Sequence, residues 1–100
     1  MSNMPTAMAG LQAKVTCEAC PLQIEGTIDG FAFYFRARHR HWTMGIGGDP
    51  VDEPLWHMGG PWGDGPFAAG WMPEETGRAI VLKCCELWRV ARGGRPEAGA

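Results

Sequence analysis

The chain has 100 residues, 45% of them hydrophobic, with five Trp and four Phe; it is long enough for one packed core and too short for two. That content excludes a disordered chain, and a net charge of −2 excludes a global field able to hold the whole surface on DNA or an anionic membrane. No apolar run approaches the roughly 18 to 20 residues that span a bilayer, and MSNMPTAMAG at the start lacks the basic and long apolar regions of a secretion signal, so a cytosolic protein with reduced cysteines is expected.

Residues 1–10 read as a flexible arm, 11–93 as a single α+β domain, and 94–100 as a flexible tail. From Leu11 to Cys17, Leu11, Ala13, Val15 and Cys17 alternate with Gln12, Lys14 and Thr16, which predicts a first strand. Leu22, Ile24 and Ile28 continue the alternation opposite Gln23, Glu25 and Thr27 and end in Asp29-Gly30, a strong signal for a two-residue hairpin turn. That turn sets a register: Ile28 faces Phe31, Gly26 faces Phe33, Ile24 faces Phe35, and Leu22 faces Ala37, with Gly26 making room for the Phe33 ring. The opposite face then pairs Glu25 with Tyr34 and Gln23 with Arg36. After a turn at Arg38-His39-Arg40, Trp42, Met44 and Ile46 form a further strand that stops at Gly47-Gly48-Asp49-Pro50.

The segment from Asp49 to Met72 shows neither helical nor strand period and reads as an irregular loop anchored by Trp56, Trp62, Phe67 and Trp71, with room for a short edge strand. After it, Pro73 suits a first helical residue, Glu74 and Glu75 suit the first turn, and Gly93 falls just past the end. Ile80, Cys84, Leu87, Trp88 and Ala91 form one helical stripe, expected across the Phe31/Phe33/Phe35 face. The fold class is therefore α+β: an antiparallel meander of three to four strands with one C-terminal helix packed on one face.

Chemistry-bearing motifs are sparse. Cys17-x-x-Cys20 together with Cys84-Cys85 invites a four-cysteine zinc site, but adjacent helical residues point about 100° apart, so the second pair cannot readily close on one ion. Arg38 to His41 reads as a solvated turn, since it lacks both a third metal ligand at suitable spacing and a Gly-rich phosphate loop. His57 with Asp64 is the only local acid-base pair, the only Ser is Ser2, and Gly45-x-Gly47-Gly48 leads to Asp49-Pro50 rather than into a helix. The expectation is a protein that is not an enzyme and carries no metal or other cofactor.

Charge is arranged in blocks. Between Arg40 and Arg78 there is no Lys or Arg, while Asp49, Asp52, Glu53, Asp64, Glu74 and Glu75 all fall there. Two candidate partner-binding sets follow. In one, Asp49, Asp52, Glu53 and Asp64 steer toward a basic protein groove while Trp56 and Trp62 anchor in it. In the other, Glu25, Tyr34, Arg36 and Arg38 act from the open sheet face.

The compact meander QIEGTIDGFAFYFRARHRHWTMGIGGD with one closing helix and an acidic, Trp-rich segment resembles small accessory proteins of phages and mobile elements, among them anti-CRISPR proteins. The resemblance covers size, architecture and charge layout over about residues 11–93, and no residue's role is taken from it. It implies a non-enzymatic inhibitor in the host bacterial cytosol whose protein partner is a CRISPR effector complex, and which blocks target DNA recognition or nuclease recruitment. Direct nucleic-acid binding and membrane binding are not expected on that reading. The alternative is a small metal- or nucleic-acid-binding regulator using the cysteines or the Arg-Tyr face.

Overall fold

The computed structural model describes residues 8–18, 22–63 and 72–92. Five strands, β1 (Leu11–Glu18), β2 (Leu22–Ile28), β3 (Phe31–Arg38), β4 (His41–Asp49) and β5 (Glu53–Pro61), form one antiparallel sheet in the order β1-β2-β3-β4-β5, followed by α1 (Glu74–Ala91). The architecture is α+β, with five strands where three to four were expected. The difference is β5, which takes nine residues of the segment read as an irregular loop. Its Gly59-Gly60 pair and flanking Pro54 and Pro61 weaken the strand signal, yet all are compatible with the edge position β5 holds, where only one side needs backbone hydrogen bonds.

The β2–β3 hairpin has the register that its turn chemistry dictates: Ile28↔Phe31, Gly26↔Phe33, Ile24↔Phe35 and Leu22↔Ala37. Asp29 and Gly30 both take positive φ, 51° and 84°, as a two-residue turn of matching twist requires. Gly26 has a different cause from the one expected. A Cβ there would run into the backbone of Gln12 and Ala13, so it is the close approach of β1, rather than the Phe33 ring, that requires glycine.

One face of the sheet is covered. Leu11, Val15, Leu22, Ile24, Ile28, Phe33, Phe35, Ala37, Met44 and Ile46 are buried beneath α1, which packs chiefly on β2 and β4. Each large apolar side chain removed from water there contributes about 1.5–3 kcal/mol before ordering costs. The helix buries Gly77, Val81, Cys84, Cys85 and Trp88, a stripe rotated by about one residue from the expected Ile80/Cys84/Leu87/Trp88/Ala91. Gly77 explains the rotation: a Cβ at this position would press on Leu22, Ile24 and Phe35, so the helix lies closest to the sheet on that side. Ile80 is then only partly buried and Ala91 is exposed. Pro73 is the N-cap, so the helix begins one residue later than expected, and Gly93 lies outside the described residues.

Two further expectations change. Phe31 stays 37% exposed, set edge-on to Trp88 instead of beneath the helix. Cys17 leaves the face of Leu11 and Val15, because the register shifts between Val15 and Cys17 and a β-bulge there pairs Cys17 with Gln23. Within the expected N-terminal arm, Leu11 N–H donates to Met8 O, Asp29 N–H donates to Gly10 O, and Arg89 Nη2 donates to Ala9 O, which ties residues 8–10 to the domain. Residues 1–7 and the expected tail, 94–100, lie outside the described residues.

Candidate functional site

Antiparallel pairing carries one row of residues across the open face through all five strands: Lys14, Glu25, Tyr34, Gly45 and His57 are successive cross-strand partners. A neighbouring row runs Cys17, Gln23, Arg36, Thr43 and Gly59. The sheet thus brings Glu25, Tyr34 and Arg36 together, as expected from alternation, and adds His57. Strand pairing of β5 places His57 opposite Gly45 instead of in a loop, and its expected acid-base partner Asp64 lies outside the described residues. Arg38 shares the face but lies exposed at the strand end, paired with His41.

Glu25 is already engaged, since the Thr16 hydroxyl donates to its Oε2 at 2.8 Å. Burial raises the Tyr34 pKa above its ordinary value; Arg36 opposes the shift, and Glu25 and Cys17 add to it. The phenol is therefore protonated and able to donate near neutral pH. Arg36 is half-buried, and its Nε is shielded from water with no hydrogen-bond partner.

The β4–β5 connection closes over these groups. Asp49 Oδ1 accepts from the N–H groups of Val51 and Asp52, both at 3.1 Å, and fixes a tight turn. Gly47 and Gly48, at φ 80° and 62°, let the strand twist into it. The turn curls back until Pro50 and Pro54 lie against Gly45, where a side chain would collide with the Pro50 carbonyl. The result is a cleft of about 260 Å³ between the turn and the sheet, lined by Tyr34, Arg36, Thr43, Gly45 and His57 on the sheet side and by Pro50, Val51 and Pro54 on the other.

The acidic set is dispersed. Asp49, Asp52 and Glu53 are exposed together at the hairpin tip. Trp56, opposite Ile46, is partly buried against the core, and so is Trp62, whose N–H donates to Arg40 O at the far end of β5. Roughly 30 Å of extended strand separates Glu53 from Trp62, given about 3.3 Å per residue. The two tryptophans therefore pack partly against their own domain, at a distance from the acids of the tip. The apolar groups that do project near the acids are Val51, 61% exposed, and Leu55, 75% exposed, which composition does not distinguish from core residues.

The thiols separate as well. Burial pushes Cys84 up to about 11, and burial followed by the neighbouring Cys84 pushes Cys85 up to about 12, so both are neutral and apolar at ordinary pH. Cys17 is on the opposite face, and Cys20 lies outside the described residues. Among the described residues no group of three or more His, Cys, Asp or Glu is placed to hold a metal ion, and no helix is long and apolar enough to cross a membrane. No protein-family model, curated protein or solved structure matches the chain.

Proposed function

We propose that the chain is a non-catalytic binding protein that docks the tip of its β4–β5 hairpin on a protein partner. The observation that carries this reading is the exposure of Val51 and Leu55 beside the exposed carboxylates of Asp49, Asp52 and Glu53. Two apolar side chains on a short, turn-locked hairpin supply the desolvated centre of a small contact, and the acids around them steer toward a basic rim. A positively charged groove is characteristic of proteins that handle nucleic acids, and carboxylates such as these would occupy phosphate positions in it. The narrower form of the proposal is an inhibitor of a bacterial nucleic-acid-targeting complex, anti-CRISPR-like in action; size, architecture and charge layout support it.

A second reading has its own observation: Tyr34, Arg36 and Arg38 share the open face, the combination a nucleic-acid-binding regulator would use. One experiment separates the two. Tagged protein is incubated with purified CRISPR effector complexes and, separately, with single- and double-stranded DNA and RNA. Docking by the tip predicts stoichiometric capture of an effector subunit, weakened at least tenfold by Leu55→Asp and slowed by Asp52→Lys with Glu53→Lys. Capture unchanged by these substitutions would sink the tip contact, and absence of capture would remove the inhibitor form. Salt-dependent nucleic-acid binding lost on Arg36→Ala with Arg38→Ala would transfer the assignment to the regulator.

A further inference from the structure

We infer that the cleft between the open sheet face and the β4–β5 turn is a binding site for a small organic monocarboxylate. This inference does not rest on the docking proposal: its donors lie on the sheet, and of the two apolar tip side chains only Val51 also lines the cleft.

The groups converging on the cleft are chemically one-sided. Arg36 brings a permanent positive charge, Tyr34 and Thr43 bring hydroxyls, His57 brings an imidazole, and among the described residues no carboxylate lines the cleft. The nearest acid in the row, Glu25, lies on the far side of Tyr34 and accepts from Thr16. Arg36 takes part in no ion pair among the described residues, and its buried Nε has no acceptor, a cost that a ligand oxygen would remove. A guanidinium offers a planar fork that matches one carboxylate. Because Arg36 is the only Lys or Arg among the described residues lining the cleft, a phosphate dianion would leave charge uncompensated.

Opposite the donors, Pro50 and Pro54 form an apolar wall held by the Asp49 turn, so the ligand body facing it must be apolar. The volume of about 260 Å³ limits that body to roughly a single ring or a branched aliphatic group. The carboxylate can belong to a free acid or to the C-terminal residue of a peptide.

The test is a titration of the full chain followed by amide proton–nitrogen spectra. Benzoate serves as the probe, with benzamide as its neutral counterpart, sodium phosphate at matched ionic strength, and an N-acetylated dipeptide ending in phenylalanine as the peptide source. Benzoate is expected to shift the Tyr34, Gly45, Val51 and His57 amides saturably, with a Kd on the order of millimolar, as suits so small a ligand. Benzamide and phosphate should bind at least about tenfold more weakly, and Arg36→Gln should weaken benzoate by about tenfold. Thr43→Val, which keeps the charge, should weaken it by a few-fold and provides the test should Arg36→Gln not fold. Tighter binding of the peptide than of benzoate would assign the carboxylate to a chain end, and the reverse order to a free acid. Unsaturable shifts, equal binding of benzamide, or unchanged affinity in a folded Arg36→Gln or in Thr43→Val would overturn the site.

Discussion

Asp29 accepts one hydrogen bond on each carboxylate oxygen from Arg89, sixty residues away: Arg89 Nε donates to Oδ2 at 2.9 Å and Nη2 to Oδ1 at 2.7 Å. Arg92 Nη1 stands 3.5 Å from the same carboxylate, and its guanidinium lies 4.5 Å from the Trp88 ring centre and 5.0 Å from that of Phe31. The last turn of α1 is thereby fastened to the β2–β3 turn. Both partners are mostly shielded, with side chains 18% and 16% exposed, so the pair is worth more than a surface ion pair.

Asp29→Asn tests this clamp, since Asn tolerates the positive φ of the turn and retains an acceptor while removing the charge. The expected loss of stability is about 1–2 kcal/mol in urea unfolding. In a double-mutant cycle with Arg89→Met, the combined loss should be clearly less than the sum of the two; strict additivity would show that the contact contributes nothing beyond its separate parts.

Gly26 and Gly30 should respond to alanine differently. At Gly26 the added methyl meets β1 backbone, which cannot move aside cheaply, and roughly 2–3 kcal/mol should be lost. At Gly30 nothing lies within 4 Å, and only the positive φ is strained, for about 1 kcal/mol. Midpoints from chemical unfolding rank the two; equal losses would contradict the close approach of β1.

The buried thiols predict weakening at alkaline pH. In the unfolded chain they ionise near their ordinary value of 9.0, while in the folded chain they hold their protons to about 11 at Cys84 and about 12 at Cys85. Above the unfolded value the folded state therefore binds more protons, and stability falls as pH rises. The slope should be about 1.4 kcal/mol per pH unit per thiol between roughly pH 9 and 11, with no thiol contribution to the slope below pH 8. A Cys84→Ala, Cys85→Ala double variant should show a shallower fall over the same window. An identical fall would assign the weakening to other groups.

At the hairpin tip, position decides the outcome. Asp49→Ala removes the acceptor of two backbone N–H groups and should cost about 1 kcal/mol, whereas Asp52→Lys and Glu53→Lys should each stay within about 0.5 kcal/mol of wild type. Thermal unfolding of the three variants distinguishes the turn-forming acid from its solvated neighbours.

The meander from Leu22 to Ile46 was legible in the residues because its signals are local: Asp29-Gly30 fixes a turn, the turn fixes a register, and period-two alternation fixes the faces. The Glu25/Tyr34/Arg36 neighbourhood followed from the same logic. What alternation could not reveal depended on contacts between distant segments. The bulge that turns Cys17 over, the approach of β1 that requires Gly26, and the rotation of α1 about Gly77 each arise where separate elements press together. Strand β5 exists because β4 presents an unpaired edge, which supplies the hydrogen bonds that a segment rich in Gly and Pro does not advertise. Only that pairing carries His57 to the cleft, sends Trp56 and Trp62 toward the core, and leaves Val51 and Leu55 in solvent. The sequence by itself determined the α+β class, the central hairpin and its polar face, through local turn geometry and side-chain period. The tertiary structure alone decided which acids, aromatics and apolar side chains form a surface, because exposure depends on what else packs nearby.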